Sequence, residues 1–330
     1  MAADGSTRAV MTALGANVGI GVAKFIAAAI TGSASMLAEG VHSVADSGNQ
    51  VLLLIGGRHA RQAPSALHQF GYARVRYLYA FLVAIVLFTL GGLYALYEGY
   101  HKLTEPHPLS SPLIAVVVLL IALVLEGYAL RTAVREANRT RGTRSWLQFV
   151  RRARAPELPV LLLEDSGALV GLSLALLGVG LSVLTGNGVF DGIATLCIGV
   201  LLAAIAVLLA RETTSLIIGE AAVPEQANKI YAALQSAPGV EQVIHLRTVH
   251  LGPDDLLVAG KIGIAADADG EDIASTINDA EARVRQVVPS ARIIYLEPDI
   301  YQPDDNTVEQ PVRPPTLPHE PDTGPTQRRS

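Results

Sequence analysis

Apolar residues run in blocks of about 20 along the first two thirds of the chain, with short polar loops between them. A helix that crosses a bilayer needs roughly 20 mostly apolar residues. Six blocks qualify, at about residues 9–31, 36–57, 77–97, 112–133, 158–185 and 189–210. The second and fifth are the least hydrophobic at one end. The pattern then changes across residues 222–298. "PEQANKIYAALQSA" has helical spacing, and "VEQVIHLRTVHLG" and "DLLVAGKIGIA" read as strands joined at the turn "GPDD". "EDIASTINDAEARVRQVV" places Ile273, Ile277, Ala280, Val284 and Val287 on one helical face, and "ARIIYLE" reads as a third strand. The expected fold is an all-α six-helix transmembrane bundle over residues 1–221, followed by a small cytosolic α+β domain of order α-β-β-α-β. Residues 299–330 are Pro-rich and polar, the composition of a disordered tail.

The second block, "MLAEGVHSVADSGNQVLLLIGG", breaks its own apolar pattern. Glu39, His42, Asp46 and Asn49 step by three, four and three, so on a helix they form one stripe. A helix end hydrating in the headgroup region accounts for one such residue better than for four. An ionisable residue inside a span points by default to a pathway or a site. The fifth block, "LPVLLLEDSGALVGLSLALLG", carries Glu164 and Asp165 several residues inside an apolar run. Neighbours on a helix point about 100° apart, so only one of the two can face a given site. The other then faces a neighbouring helix or a water-filled access route. If the span instead begins after Asp165, both acids lie at the interface and Asp165 is an N-cap.

Other polar positions have simpler readings. Glu126 and Arg131 suggest a charge pair at the cytosolic end of the fourth block, and Lys24 can snorkel to the nearer interface. Asp191 fits a helix start. Gly167, Ala168 and Gly171 allow close helix packing.

Charge sets the orientation. Arg58, Arg61, Arg74 and Arg76 fill the loop after the second block, and Arg131, Arg135, Arg139, Arg141, Arg144, Arg151, Arg152 and Arg154 follow the fourth. The other loops hold little positive charge beyond Lys102. Positive loops stay inside, so both termini are expected in the cytosol, in a multi-pass protein of the cell membrane. Composition agrees: charged residues are 17% of the 330, against about 25% in soluble domains. The net charge of −5 gives no reason to expect a nucleic-acid partner. The N-terminal "MAADGSTRAVMTALGANV" does not read as a cleaved leader, so the first block is expected to be a retained span. The single Cys197 supports neither an intramolecular disulfide nor a soft-metal site.

One nitrogen with two or three carboxylate oxygens suits a borderline divalent ion, zinc first, whereas calcium and magnesium prefer oxygen alone. His42 titrates near neutral pH, and metal must displace its proton. Such competition is the minimum needed for metal/proton exchange.

At these residues the sequence resembles the cation diffusion facilitator family. "AEGVHSVAD" matches the family's span-two HxxxD pair as His42 and Asp46. "SGNQVLLLIGGRHA", "HQFGYARVRYLYAFLVAIVLFTLGGLYALYEG" and "LLLEDSGALVGL" look like the subgroup that contains the animal mitochondrial zinc transporter nine. The resemblance implies six spans, cytosolic termini and a C-terminal domain that makes a homodimer. It also implies a metal shell of His42, Asp46 and Asp165, completed by water or Glu164, with Glu39 and Asn49 serving ion access or hydrogen bonding. There are departures. Leu161 and Leu169 flank Asp165 by four, so span five lacks the usual second ligand. Tyr72 replaces a loop histidine that binds a second metal in some members, so His68 is expected either as an accessory or ion-entry residue or simply to cap or hydrogen-bond. In the C-terminal domain, Ile244, Gly260, Tyr295 and Glu297 stand where other members have metal ligands, and His245 and His250 point to opposite strand faces.

The expected function is secondary transport: export of a divalent cation, zinc foremost, from the cytosol in exchange for protons, across a lipid bilayer and without a cofactor. Manganese, iron or cobalt are alternative cargoes, and a non-transporting metal sensor or scaffold is an alternative role. No enzyme is expected, because the chain has no HExxH motif and Ser43 and Ser47 have no evident triad.

Overall fold

A computed structural model describes residues 2–105, 112–142 and 145–301. All but the first few residues of the expected tail at 299–330 lie outside the described residues. The chain divides into two compact units, Met1–Ile218 and Gly219–Ser330.

Among the described residues, the regular elements of the first unit are all helices. Its long elements are α1 (Ala2–Thr31), α2 (Ala34–His59), α3 (Val75–Val86), a π-helical segment (Leu87–Leu93), α4 (Tyr94–Thr104), α5 (Pro112–Arg141), α7 (Glu157–Thr185) and α8 (Val189–Ile218). A short α6 (Trp146–Arg152) lies in the Arg-rich loop, opened by a capping box between Ser145 and Gln148. Among the described residues, four continuous helical stretches are long and apolar enough to cross a membrane: Val75–Thr104, Pro112–Arg139, Glu157–Thr185 and Val189–Ile218. These are the third to sixth expected blocks. In the first block the qualifying apolar stretch is shorter, Asn17–Thr31. The second block, α2, is excluded by its own polar stripe.

The third block is one continuous rod only because α3 and α4 join through the π turn. The reason lies in "LFTLGGL". A side chain at Gly92 would meet the backbone N of Ala203 at 3.1 Å, and one at Gly91 would meet Leu202 at 3.2 Å. The rod therefore lies against α8 where it carries no side chains.

Two of the simpler sequence expectations fail here. Lys24 does not snorkel. It is fully buried and turned into the bundle, where Gly21 against Ser43 (3.3 Å) and Gly40 against Phe25 (3.3 Å) bring α1 close to α2. Glu126 is not a terminal charge pair with Arg131. Five residues apart on a helix, the two point about 140° from each other, and Glu126 is buried. Asp191 does serve a helix start, lying in the first turn of α8 and also facing the start of α2. Its carboxylate accepts from the backbone N–H of Ala34 (2.8 Å) and Ser35 (3.4 Å) and from the hydroxyls of Ser33 and Ser35. An anion at this end of α2 satisfies N–H groups that have no partner within the helix.

The second unit runs α9 (Pro224–Gln235), β1 (Gln242–Gly252), β2 (Asp255–Gly263), α10 (Gly270–Val287) and β3 (Ala291–Asp299). The sheet order is β1-β2-β3, with β1 antiparallel and β3 parallel to β2. Ile230 and Leu234 of α9 pack with Leu256, Val258, Ala280 and Val284. The buried stripe of α10 differs from the expected one: Thr276, Ala280, Val284 and the following Val288 are buried, while Val287 is 43% exposed. The stripe advances by four residues per turn. It starts at Thr276, against which Gly239, at φ +79°, has no room for a side chain.

Candidate functional site

Ser33 caps α2, its hydroxyl accepting from the N–H of Met36 (3.2 Å), and the helix then carries Glu39, His42, Asp46 and Asn49 inward on one buried face. His42 Nε2 stands 3.5 Å from Asp46 Oδ2, one turn along the same helix. At 3.5 Å this is a charge contact rather than a hydrogen bond. Both ring nitrogens of His42, Asp46 Oδ1, Glu39 Oε1 and Asn49 Oδ1 are buried without a hydrogen-bond partner. Buried polar atoms are nearly always paired, and each orphan costs about 1–3 kcal/mol. Five such atoms lie along one helix face.

The neighbours close round this row. A side chain at Gly91 of the π segment would come 3.8 Å from His42 Nδ1, so the irregular turn faces the imidazole. π turns recur at functional sites. Asn49 donates to Glu164 Oε1 of α7 at 2.5 Å. Asp165, half-buried, lies within electrostatic reach of Asp46 and Glu126. Glu126 of α5 lies within reach of Lys24, Asp46, His42 and Glu39. Lys24 of α1 donates to Glu39 Oε2 (3.1 Å) and Ser43 Oγ (2.9 Å). The cluster thus draws on α1, α2, α5 and α7, with the π segment beside it.

Among the sequence candidates, His42 and Asp46 are brought together, Asn49 engages Glu164, and Glu39 is held by Lys24. Among the described residues, no three His, Cys, Asp or Glu side chains converge closely enough to grip one ion. The four-residue shell is therefore not closed. Glu164 is turned to α2, where Asn49 bonds it, while Asp165 is half-buried and feels both Glu126 and Asp46. His68 lies apart in the loop after α2, exposed, its ring tilted on Tyr72 at a centroid distance of 4.7 Å. Its backbone carbonyl accepts from the N–H groups of Ser65 and Gly71. Lys24 and Glu126 are the members that sequence reasoning did not assign to the site. The available signal was that each is a single charge inside an apolar run.

Residues 10–218 match the family model described as the cation efflux transmembrane domain. The chain belongs to the cation diffusion facilitator family. It is 33% identical over 249 residues to the mouse (Mus musculus) protein named proton-coupled zinc antiporter SLC30A9, mitochondrial, a match covering 74% of this chain and 43% of that one. Against metal tolerance protein C4 of Arabidopsis thaliana it is 29% identical over 250 residues, 75% of this chain and 55% of the relative. Against the zinc transporter ZitB of Pectobacterium atrosepticum it is 29% identical over 119 residues, 36% and 37% of the two chains. The chain thus matches about four tenths of the length of the mouse relative. Within the family it lies near the SLC30A9 subgroup, as the motifs around α2, the following loop and α7 imply.

Proposed function

We propose that this protein exchanges divalent cations, zinc first, for protons across a membrane, moving the metal out of the compartment that faces its Arg-rich loops. One observation carries the reading. His42 and Asp46 face each other on a buried helix, and both ring nitrogens and Asp46 Oδ1 make no hydrogen bond within the fold. An imidazole nitrogen and carboxylate oxygens suit zinc. The same atoms bind protons, so loading one cargo displaces the other. The names of the SLC30A9 relatives and of ZitB, which state zinc transport, support the same cargo.

In this reading α1, α2, the α3–α4 rod, α5, α7 and α8 are six spans, and an even number puts both termini on one side. The Arg-rich loops assign that side as cytosol or its equivalent. The SLC30A9 relatives are named as mitochondrial rather than as proteins of the cell membrane. His42 and Asp46 are the primary ligands. One α7 carboxylate joins the shell at a time, Asp165 if α7 rotates it towards α2 or Glu164 once Asn49 releases it, and water completes the set. Residues 222–298 form the dimerisation domain, and a homodimer is the working assembly.

The test is zinc flux into proteoliposomes with and without an imposed pH gradient, for the wild type and for Asp46→Ala. Antiport predicts flux that rises with the gradient and disappears in the variant. Zinc binding without gradient-dependent flux would instead mark a non-transporting sensor. Flux indifferent to both the gradient and the substitution would refute the reading.

A further inference from the structure

Lys24 interrupts "GIGVAKFIAAAI", a segment with no other charge. A lysine in such a place lowers its cost by stretching to an interface. This one is 0% exposed, and its ammonium is spent on two groups of α2, Glu39 Oε2 at 3.1 Å and Ser43 Oγ at 2.9 Å. Burying an ion pair carries a desolvation penalty that its own attraction often fails to repay. The pair is thus poorly explained by stability.

Its position is informative. Glu39 is three residues before His42, on the same face, and Ser43 directly follows His42. The ammonium therefore spans the turn of α2 that presents the imidazole. The charge of Lys24 is felt at both His42 and Asp46. Glu39 keeps one oxygen, Oε1, without a partner, aimed at α7. A side chain at Gly171 would come within 2.6 Å of that oxygen, so α7 leaves space for it. Glu39 thus has a free lone pair and the right spacing to act as a ligand, yet is tied back by a cation.

We propose that Lys24 is a tethered cation: it holds Glu39 out of the metal shell and repels the loaded ion, so it weakens zinc binding at His42 and Asp46 and speeds release. The proposal rests on the zinc-antiport reading of that site. Lys24 touches no ligand of the shell and acts as a positioning residue. The physical need is plain, because an ion in transit must be held strongly enough to enter and weakly enough to leave. A cluster of carboxylates with no opposing charge would hold a dication too long inside a low-dielectric bundle.

The experiment uses the full chain, with zinc Kd measured by competition against a chelating dye, and with KM and kcat of zinc flux in proteoliposomes. Lys24→Met should tighten zinc at least about tenfold and lower both KM and kcat, while Lys24→Arg stays near wild type. A role in structure alone predicts the opposite sign, since a damaged site binds more weakly. A folded Lys24→Met with unchanged or weaker zinc binding overturns the proposal. Should Lys24→Met fail to fold, the same charge is read from the other partner. Glu39→Gln, which leaves Lys24 uncompensated, weakens zinc about tenfold, and the neutral pair Lys24→Met/Glu39→Gln restores it to within about threefold. A double variant as weak as Glu39→Gln overturns the proposal, because Glu39 is then itself a ligand. Failure of the antiport reading shows differently, as a wild type without gradient-driven zinc flux.

Discussion

Replacing Gly199 by alanine tests how the α4–α8 contact holds the site in place. α4 and α8 meet along glycines spaced by seven: Gly92 and Gly99 on the α3–α4 rod, Gly192 and Gly199 on α8. A methyl group at Gly199 would lie 2.7 Å from the backbone N of Leu96 and 2.8 Å from its Cγ, and one at Gly99 would lie 2.7 Å from the backbone N of Leu196. Ordinary contacts begin near 3.4 Å, so roughly 0.7 Å must be found by parting two backbones. Overpacking of this kind costs about 1–3 kcal/mol, and the better helix propensity of alanine returns up to about 1 kcal/mol. The net expectation is a loss of about 1–2 kcal/mol, or a melting temperature lower by about 2–8 °C for a unit of this size. Gly180→Ala is the control, since nothing lies within 4 Å of its added methyl. It should be neutral or stabilising by up to about 1 kcal/mol. The assay is thermal unfolding in detergent, followed by far-UV circular dichroism and by zinc flux. Flux should fall with Gly199→Ala as well. Leu202, one turn on, is the residue that meets Gly91 beside His42. A Gly199→Ala protein as stable as Gly180→Ala would refute the backbone contact and the packing argument with it.

Three further outcomes follow from the same geometry. Asn49→Leu removes the 2.5 Å donor to Glu164 and leaves a buried carboxylate unpaired, so stability should drop by about 1–3 kcal/mol; a double-mutant cycle with Glu164→Leu should return a coupling above about 0.5 kcal/mol. Asp191→Asn keeps the shape but removes the negative charge at the start of α2, and should cost about 0.5–2 kcal/mol in detergent unfolding. In the second unit the Lys261 ammonium, 2.7 Å from Asp299, together with the N–H of Ile300, holds the Asp299 carboxyl below its ordinary value of 3.8. A depressed carboxyl adds stability above the unfolded value and loses it as pH falls through the folded one. Asp299→Asn should therefore lower the melting temperature slightly at pH 7, with the difference fading as pH falls below the unfolded value of 3.8, and salt should erase it because the pair is exposed.

The parts of the fold that sequence anticipated are those written within one element. The stripe of α2 follows from steps of three, four and three, and the strands and helices of the second unit follow from local periodicity. What escaped depends on contacts between elements. A lone charge in an apolar helix can turn out to the interface or into the bundle, and the choice is made by residues elsewhere. Lys24 turns in because Gly21 and Gly40 let α1 and α2 approach. Glu126 turns in because of how α5 faces its neighbours. The α2 cap from Asp191 links residues 157 apart, and the π turn of "LFTLGGL" answers to the backbone of α8 rather than to any rhythm of its own. For Glu164 and Asp165 the 100° between them could be stated in advance, but not which one faces α2. The electrostatics of the site are therefore not contained in the HxxxD motif. The motif supplies His42 and Asp46, while α1 and α5 supply the opposing and reinforcing charges. Two chains with the same motif and different residues at the positions of Lys24 and Glu126 should hold the same ion with different strength.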